Sequence, residues 1–162
     1  MVWSRDHRPR NLCNRLWVGV GHRVTSLDNV MSHDRSQGVI AVFMHKMMKG
    51  LPITVFGNGR AVRDYVYIDD VTGALAAMVL RDLPVDTVNV GSGRGHTTLE
   101  VLEILSRVTG LRAIVEYAPA RPHDVQSVVL DITRLRSLMA YEPKTLTDGV
   151  VLVWSSLGAP SA

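Results

Sequence analysis

The chain has 162 residues, 46% hydrophobic and 20% charged, with a net charge of +3, which suits one modest globular core and excludes a disordered chain. The positive excess is spread thinly apart from Arg5, His7, Arg8 and Arg10, so neither a basic face nor an aromatic platform for nucleic acid is present. A lone Cys13 excludes an intrachain disulfide and a cysteine-built zinc site, and no apolar run approaches the length of a membrane span.

That free thiol and a polar start without a secretory apolar stretch lead to an expected cytoplasmic location. The six histidines are scattered without metal-ligand spacing, so no metal site is expected.

In chain order, residues 1–11 are charged and irregular. Leu12 to Val20 has the composition of part of a helix, and His22 to Leu27 reads as a strand followed by Asp28-Asn29. Gly38 to Lys49 predicts a helix with Gly50 as its C-cap. Val39, Val42, Phe43 and Met47 share one face, broadened by Ile40, Met44 and Met48, and the methionines read as core.

Ile53 to Phe56 is rich in β-formers. Gly57-Asn58-Gly59 then breaks the run with residues that tolerate φ > 0. Val66 to Ile68 reads as a second short strand, and Asp69 or Asp70 as the N-cap of a helix running to Leu80. Arg63 lies between the two β-rich segments. It is either the solvated arginine of a surface hairpin or a guanidinium placed to meet a phosphate.

Thr87 to Val90 forms a strand entering Gly91-Ser92-Gly93-Arg94-Gly95, a weak phosphate signal by itself. Thr97 with Glu100 fits a capping box, followed by the apolar face Leu102, Leu105 and Val108, with Gly110 as the stop. Ala113 to Tyr117 is another strand. Asp131 is placed to N-cap a short helix to Met139. Thr147-Asp148 opens a last helix with Val150, Val153, Trp154 and Leu157 apolar, and the small-residue tail 158–162 frays.

Four stretches together carry a resemblance: ITVFGNGRAVRDYVYIDDV from Ile53, VNVGSG from Val88, Ala120 to Asp124, and YEPKT from Tyr141. They resemble the substrate-binding part of the extended short-chain dehydrogenase/reductases, the NAD-dependent nucleotide-sugar epimerases and dehydratases, of which UDP-glucose 4-epimerase is the best-known member. The likeness runs from Gly38 to about Leu157. It implies an α/β fold: an incomplete member of this family, mostly its C-terminal part, with short strands and about five helices. It divides the chain into an altered start (1–37), a nucleotide-sugar-binding domain (38–157) and a tail (158–162).

By the same resemblance Thr54, Val55 and Phe56 contact the uracil of a UDP- or dTDP-sugar, Arg63 and Arg121 hold the diphosphate, and Asp124 meets a ribose hydroxyl. His123 departs from the family pattern, where glycine is usual. A second, shorter likeness makes Asp28, with Asn29, the acidic end of a Rossmann strand that holds the adenosine ribose of NAD.

Such an acidic residue lies about 20 residues after a glycine-rich turn, yet no glycine precedes Gly19. Family members use a Tyr with a Lys four residues on to move a sugar hydroxyl proton while NAD takes the hydride. The tyrosines here, Tyr65, Tyr67, Tyr117 and Tyr141, are followed at that spacing by Asp69, Val71, Arg121 and Thr145. The expectation is therefore a truncated member that keeps nucleotide-sugar-binding residues without NAD-dependent turnover. Alternatives are a non-catalytic subunit that docks on a full-length relative and a decayed reading frame. With so little of a Rossmann sheet, helix 71–80 and strand 87–90 should expose an apolar face and a free edge, favouring self-association or a partner.

Overall fold

The computed structural model describes residues 2–4, 38–81, 87–122 and 124–157; Asp28, Asn29 and His123 lie outside them. Among the described residues are five helices and seven short strands, in agreement with the expected α/β class.

Strand β1 (Val2–Ser4) pairs antiparallel with β4 (Thr87–Asn89), so one edge of β4 is covered rather than free. Helix α1 (Val39–Met48) buries Phe43, Met44 and Met47, which places the methionine cluster in the core. The helix ends through Gly50 at φ 62, one residue beyond the cap residue Lys49. Leu51 N–H donates to Lys46 O at 2.8 Å and Gly50 N–H to Met47 O at 3.1 Å, which satisfies the last carbonyls.

Strand β2 (Ile53–Phe56) turns Ile53 and Val55 inward, and Gly57 and Gly59 follow at φ 67 and 70. The hairpin expected around this turn does not form. β2 pairs in parallel with β6 (Val115–Ala118), while β3 (Val62–Asp64) lies between β5 (Gly95–Thr97) and β7 (Ser127–Val128).

The strand expected at Val66 to Ile68 is therefore four residues early. Tyr65 and Val66 are buried by side-chain packing and not by a ladder. Helix α2 (Ile68–Leu80) starts ahead of the expected position, with Tyr67 as an N-cap that makes no side-chain bond. Neither Asp69 nor Asp70 caps it; both lie in its first turn, where their charge suits the helix dipole. The Asp70 carboxylate instead accepts from Lys144 N–H at 2.9 Å and Lys144 Nζ at 2.8 Å.

Helix α3 (Thr98–Thr109) has the capping box expected from Thr97 and Glu100, and Gly110 ends it at φ 70. Helix α4 (Thr133–Leu138) has Ile132 at its N-cap position. Asp131 still accepts from Thr133 N–H at 2.9 Å, a local turn one residue outside the helix. Helix α5 (Leu146–Ser156) is capped by Thr145 with Asp148, two residues before the expected Thr147.

Two apolar clusters result. One joins α2, β4 and α4 through Val71, Met78, Val88, Val90, Leu135 and Tyr141. The other joins α1, β2, α3 and α5 through Met44, Ile53, Val101, Leu105, Val150 and Trp154. At the end of α2, Val79 and Leu80 remain 68% and 85% exposed.

Candidate functional site

Parallel strands β2 and β6 end side by side, and the loops beyond their carboxyl ends meet. In open α/β sheets this is where ligands are usually held. Gly57 N–H donates to Ala118 O at 2.8 Å. A Cβ on Gly57 would stand 3.3 Å from Ala120 Cβ, so the absence of a side chain there lets the two loops approach.

The guanidinium of Arg121 lies 3.6 Å above the centre of the Phe56 ring. Phe56 is 39% exposed. This cation–π contact orders an arginine that would otherwise be a free surface chain. Asp124 N–H donates to Arg121 O at 3.2 Å, closing the loop that carries both residues. The structure thus brings Phe56, Arg121 and Asp124 into one neighbourhood. Thr54 is exposed on the same strand, while the Val55 side chain is buried.

Arg63 sits on β3, directly opposite His96 of β5 and beside Val128 of β7. It is half-buried and its Nη1 donates to Val62 O at 2.8 Å. The segment 119–126 runs from the end of β6 to the start of β7, so the Arg121 loop links the strand beside Phe56 to the strand beside Arg63. Among the described residues no carboxylate pairs with either guanidinium.

The glycine loop after β4 serves a different purpose. The buried Asp64 carboxylate accepts from Ser92 N–H at 2.9 Å, Ser92 Oγ–H at 2.5 Å, Gly93 N–H at 3.0 Å and Leu130 N–H at 3.2 Å. A Cβ on Gly91 would come within 2.8 Å of Asp64 Oδ2. These amides hold a carboxylate of the chain itself and have no capacity left for a phosphate. Tyr141 Oη donates to Gly91 O at 2.9 Å, and burial, with Asp70 and Asp64 nearby, pushes its phenol well above the usual range.

Sequence reasoning missed Asp64, although its place directly after Arg63 in a β-former run was visible. It also missed Lys144, whose ammonium is held protonated above its usual range chiefly by the hydrogen bond to Asp70. No group of three or more metal-ligating side chains occurs among the described residues, and no described helix is long and apolar enough to cross a membrane.

Comparison with known proteins adds the following. A family model described as the NAD dependent epimerase/dehydratase family matches residues 18–91. A putative UDP-glucose 4-epimerase of Methanocaldococcus jannaschii is 31% identical over 144 residues, covering 86% of this chain and 46% of that protein. The structure of Thermotoga maritima UDP-glucose 4-epimerase with UDP-glucose is 38% identical, with TM-score 0.62 over 71% of this chain and 37% of its own. Thermus thermophilus UDP-glucose 4-epimerase in complex with NAD is 35% identical, with TM-score 0.66 over 74% of this chain and 40% of its own. The chain spans less than half the length of each of these relatives.

Proposed function

The chain belongs to the NAD-dependent epimerase/dehydratase family of extended short-chain dehydrogenase/reductases, and from that membership we propose that it binds a nucleotide sugar without turning it over. The supporting observation is the Arg121 guanidinium stacked on Phe56 at the carboxyl ends of two parallel strands, free of any carboxylate among the described residues. In this reading residues 38–157 are the nucleotide-sugar-binding unit. Phe56 and Thr54 flank the base, Arg121 and Arg63 meet the diphosphate, and Asp124 accepts from a ribose hydroxyl. Val55 supports the strand from below.

Asp28 and Asn29, the residues the resemblance assigns to NAD, lie outside the described residues, and in this reading the loop after β4 gives the cofactor no hold. The strand-following glycine loop has its amides committed to Asp64, so no cradle for a pyrophosphate is left there. No tyrosine has a lysine four residues on, so the chain's own groups provide no phenolate base of the family type. The remaining chemistry is recognition of an anion and a base.

Isothermal titration of the full chain with UDP-glucose tests this reading. The chain should release a saturable heat. Arg121→Ala and Arg63→Ala should each weaken binding by about tenfold or more, the loss expected for one charge-assisted hydrogen bond. Equal heats from all three proteins would remove both arginines from the site. Conversion of UDP-glucose to its C4 epimer by the purified chain with NAD, a redox-neutral turnover in which the hydride is returned to C4, would overturn the non-catalytic half.

A second reading, an interaction subunit docking on a full-length relative or on itself, is favoured by one observation. Val79 and Leu80 form an exposed apolar end on a helix without a charge between Asp70 and Arg81. Sedimentation velocity over a range of concentrations should then show an associating species that Leu80→Glu converts to monomer. A wild-type monomer throughout that range, and no co-sedimentation with a full-length epimerase, would dismiss it.

A further inference from the structure

Strand β7 is paired on one side only. Its neighbour β3 runs parallel to it, with Val62 opposite Ser127 and Arg63 opposite Val128, and Val62 N–H donates to Gln126 O at 2.8 Å. Bonded groups alternate along such a ladder, so Gln126 O and the N–H and C=O of Val128 face β3. The N–H and C=O of Ser127 and Val129 face the other way. Among the described residues no strand meets them, because β7 ends its three-stranded sheet. The side chains leave this edge open as well. Residues 124–129 are all exposed, with Val125, Val128 and Val129 at 58%, 41% and 44%.

Two devices that usually blunt a free edge are missing. Val125 to Leu130 contains no charged residue and no proline, and its valines favour extended backbone. A stretch with no charge has nothing to select a charged partner. Its pattern does match a copy of itself.

We propose that this edge pairs with the same edge of a second copy of the chain, antiparallel about a two-fold axis at Val128. That axis sets Ser127 of one copy opposite Val129 of the other, and these are the residues whose amides and carbonyls point outward. Each such pair exchanges N–H···O bonds in both directions. Val128 meets Val128 on the axis, an apolar cross-strand pair. Asp131 falls opposite Val125 and Asp124 opposite Ile132, so no like charges face one another. Two three-stranded sheets join into one continuous sheet of ordinary size. The contact is separate from nucleotide-sugar binding and from the apolar end of α2.

Amide hydrogen exchange of the full chain, read by NMR at several protein concentrations, tests this pairing. The Ser127 and Val129 amides should exchange freely in dilute protein. They should slow by about tenfold or more in concentrated protein, once about nine chains in ten are paired. Sedimentation velocity should show a dimer over the same range, unchanged by Leu80→Glu. Ser127→Pro removes an outward N–H without touching the bonds to β3, and Val128→Lys sets like charges on the axis, so each should leave a monomer. Free exchange of both amides at every concentration would overturn the proposal. Protection that ignores concentration would assign the edge to another segment of the same chain, which also overturns it. So would association lost in Leu80→Glu but kept in Ser127→Pro, which places the contact at α2. The wild-type exchange decides even if a variant fails to fold, which the dispersion of its amide spectrum reports.

Discussion

Asp64→Ala is expected to destabilise the chain by about 3–5 kcal/mol, a large part of the roughly 5–15 kcal/mol that holds an ordinary domain folded. The carboxylate is buried, with four donors converging on it from Ser92, Gly93 and Leu130. Truncation leaves two or three main-chain N–H groups without acceptors in a closed space, and each costs about 1–3 kcal/mol unless water follows. The damage would spread because these donors lie on separate segments: the loop after β4 and the residue leading to α4 both lose their tie to β3. Asp64→Asn keeps the shape and one oxygen but turns a donor toward donors, so its loss should be intermediate. Urea unfolding followed by circular dichroism measures all three proteins. A midpoint for Asp64→Ala within error of the wild type would show that the network carries little of the stability.

That network also marks the limit of what local sequence pattern could reveal. The Asp64 bonds span 28 residues to Ser92 and 66 to Leu130, and the Lys144–Asp70 bond spans 74. No window of neighbouring residues contains them. The misplaced strand has the same origin: apolar Val66 to Ile68 resembled a ladder, but the chain pairs where β5 and β7 offer partners, at Val62 to Asp64. Features encoded within a few residues were legible. The box at Thr97 and Glu100, the buried face of α1 and the glycine turn after Phe56 all follow from short-range chemistry. The cap of α5 was legible too and was passed over. Thr145 has Asp148 three residues on, whereas Thr147 has Val150, which can accept nothing. At the candidate site, the resemblance supplied Phe56, Arg121 and Asp124 separately. Only the parallel pairing of β2 with β6 shows why the first two touch.

Gly59→Val is the other substitution with a large expected effect, about 2–5 kcal/mol of lost stability. The backbone there has φ 70, where a side chain costs about 1–2 kcal/mol, and a β-branched one more. The added Cβ would also stand 2.8 Å from Leu99 Cγ and 3.1 Å from Val55 Cγ1, and overpacking of this kind costs about 1–3 kcal/mol. Val55 is buried within β2 and does not yield easily, whereas the Leu99 side chain is 37% exposed and can turn aside, although its N–H still donates to Gly59 O at 3.3 Å. Relief at Val55 would have to move the turn, carrying Phe56 with it and opening the stack with Arg121. Stability and nucleotide binding should therefore fall together in Gly59→Val. Gly50→Ala provides the control: its φ is 62, but no atom lies within 4 Å of the added Cβ, so only the backbone cost applies. Thermal melts and UDP-glucose titrations of both variants separate the two causes. If Gly59→Val lost no more than Gly50→Ala, the close approach of the turn to α3 would not be what positions Phe56.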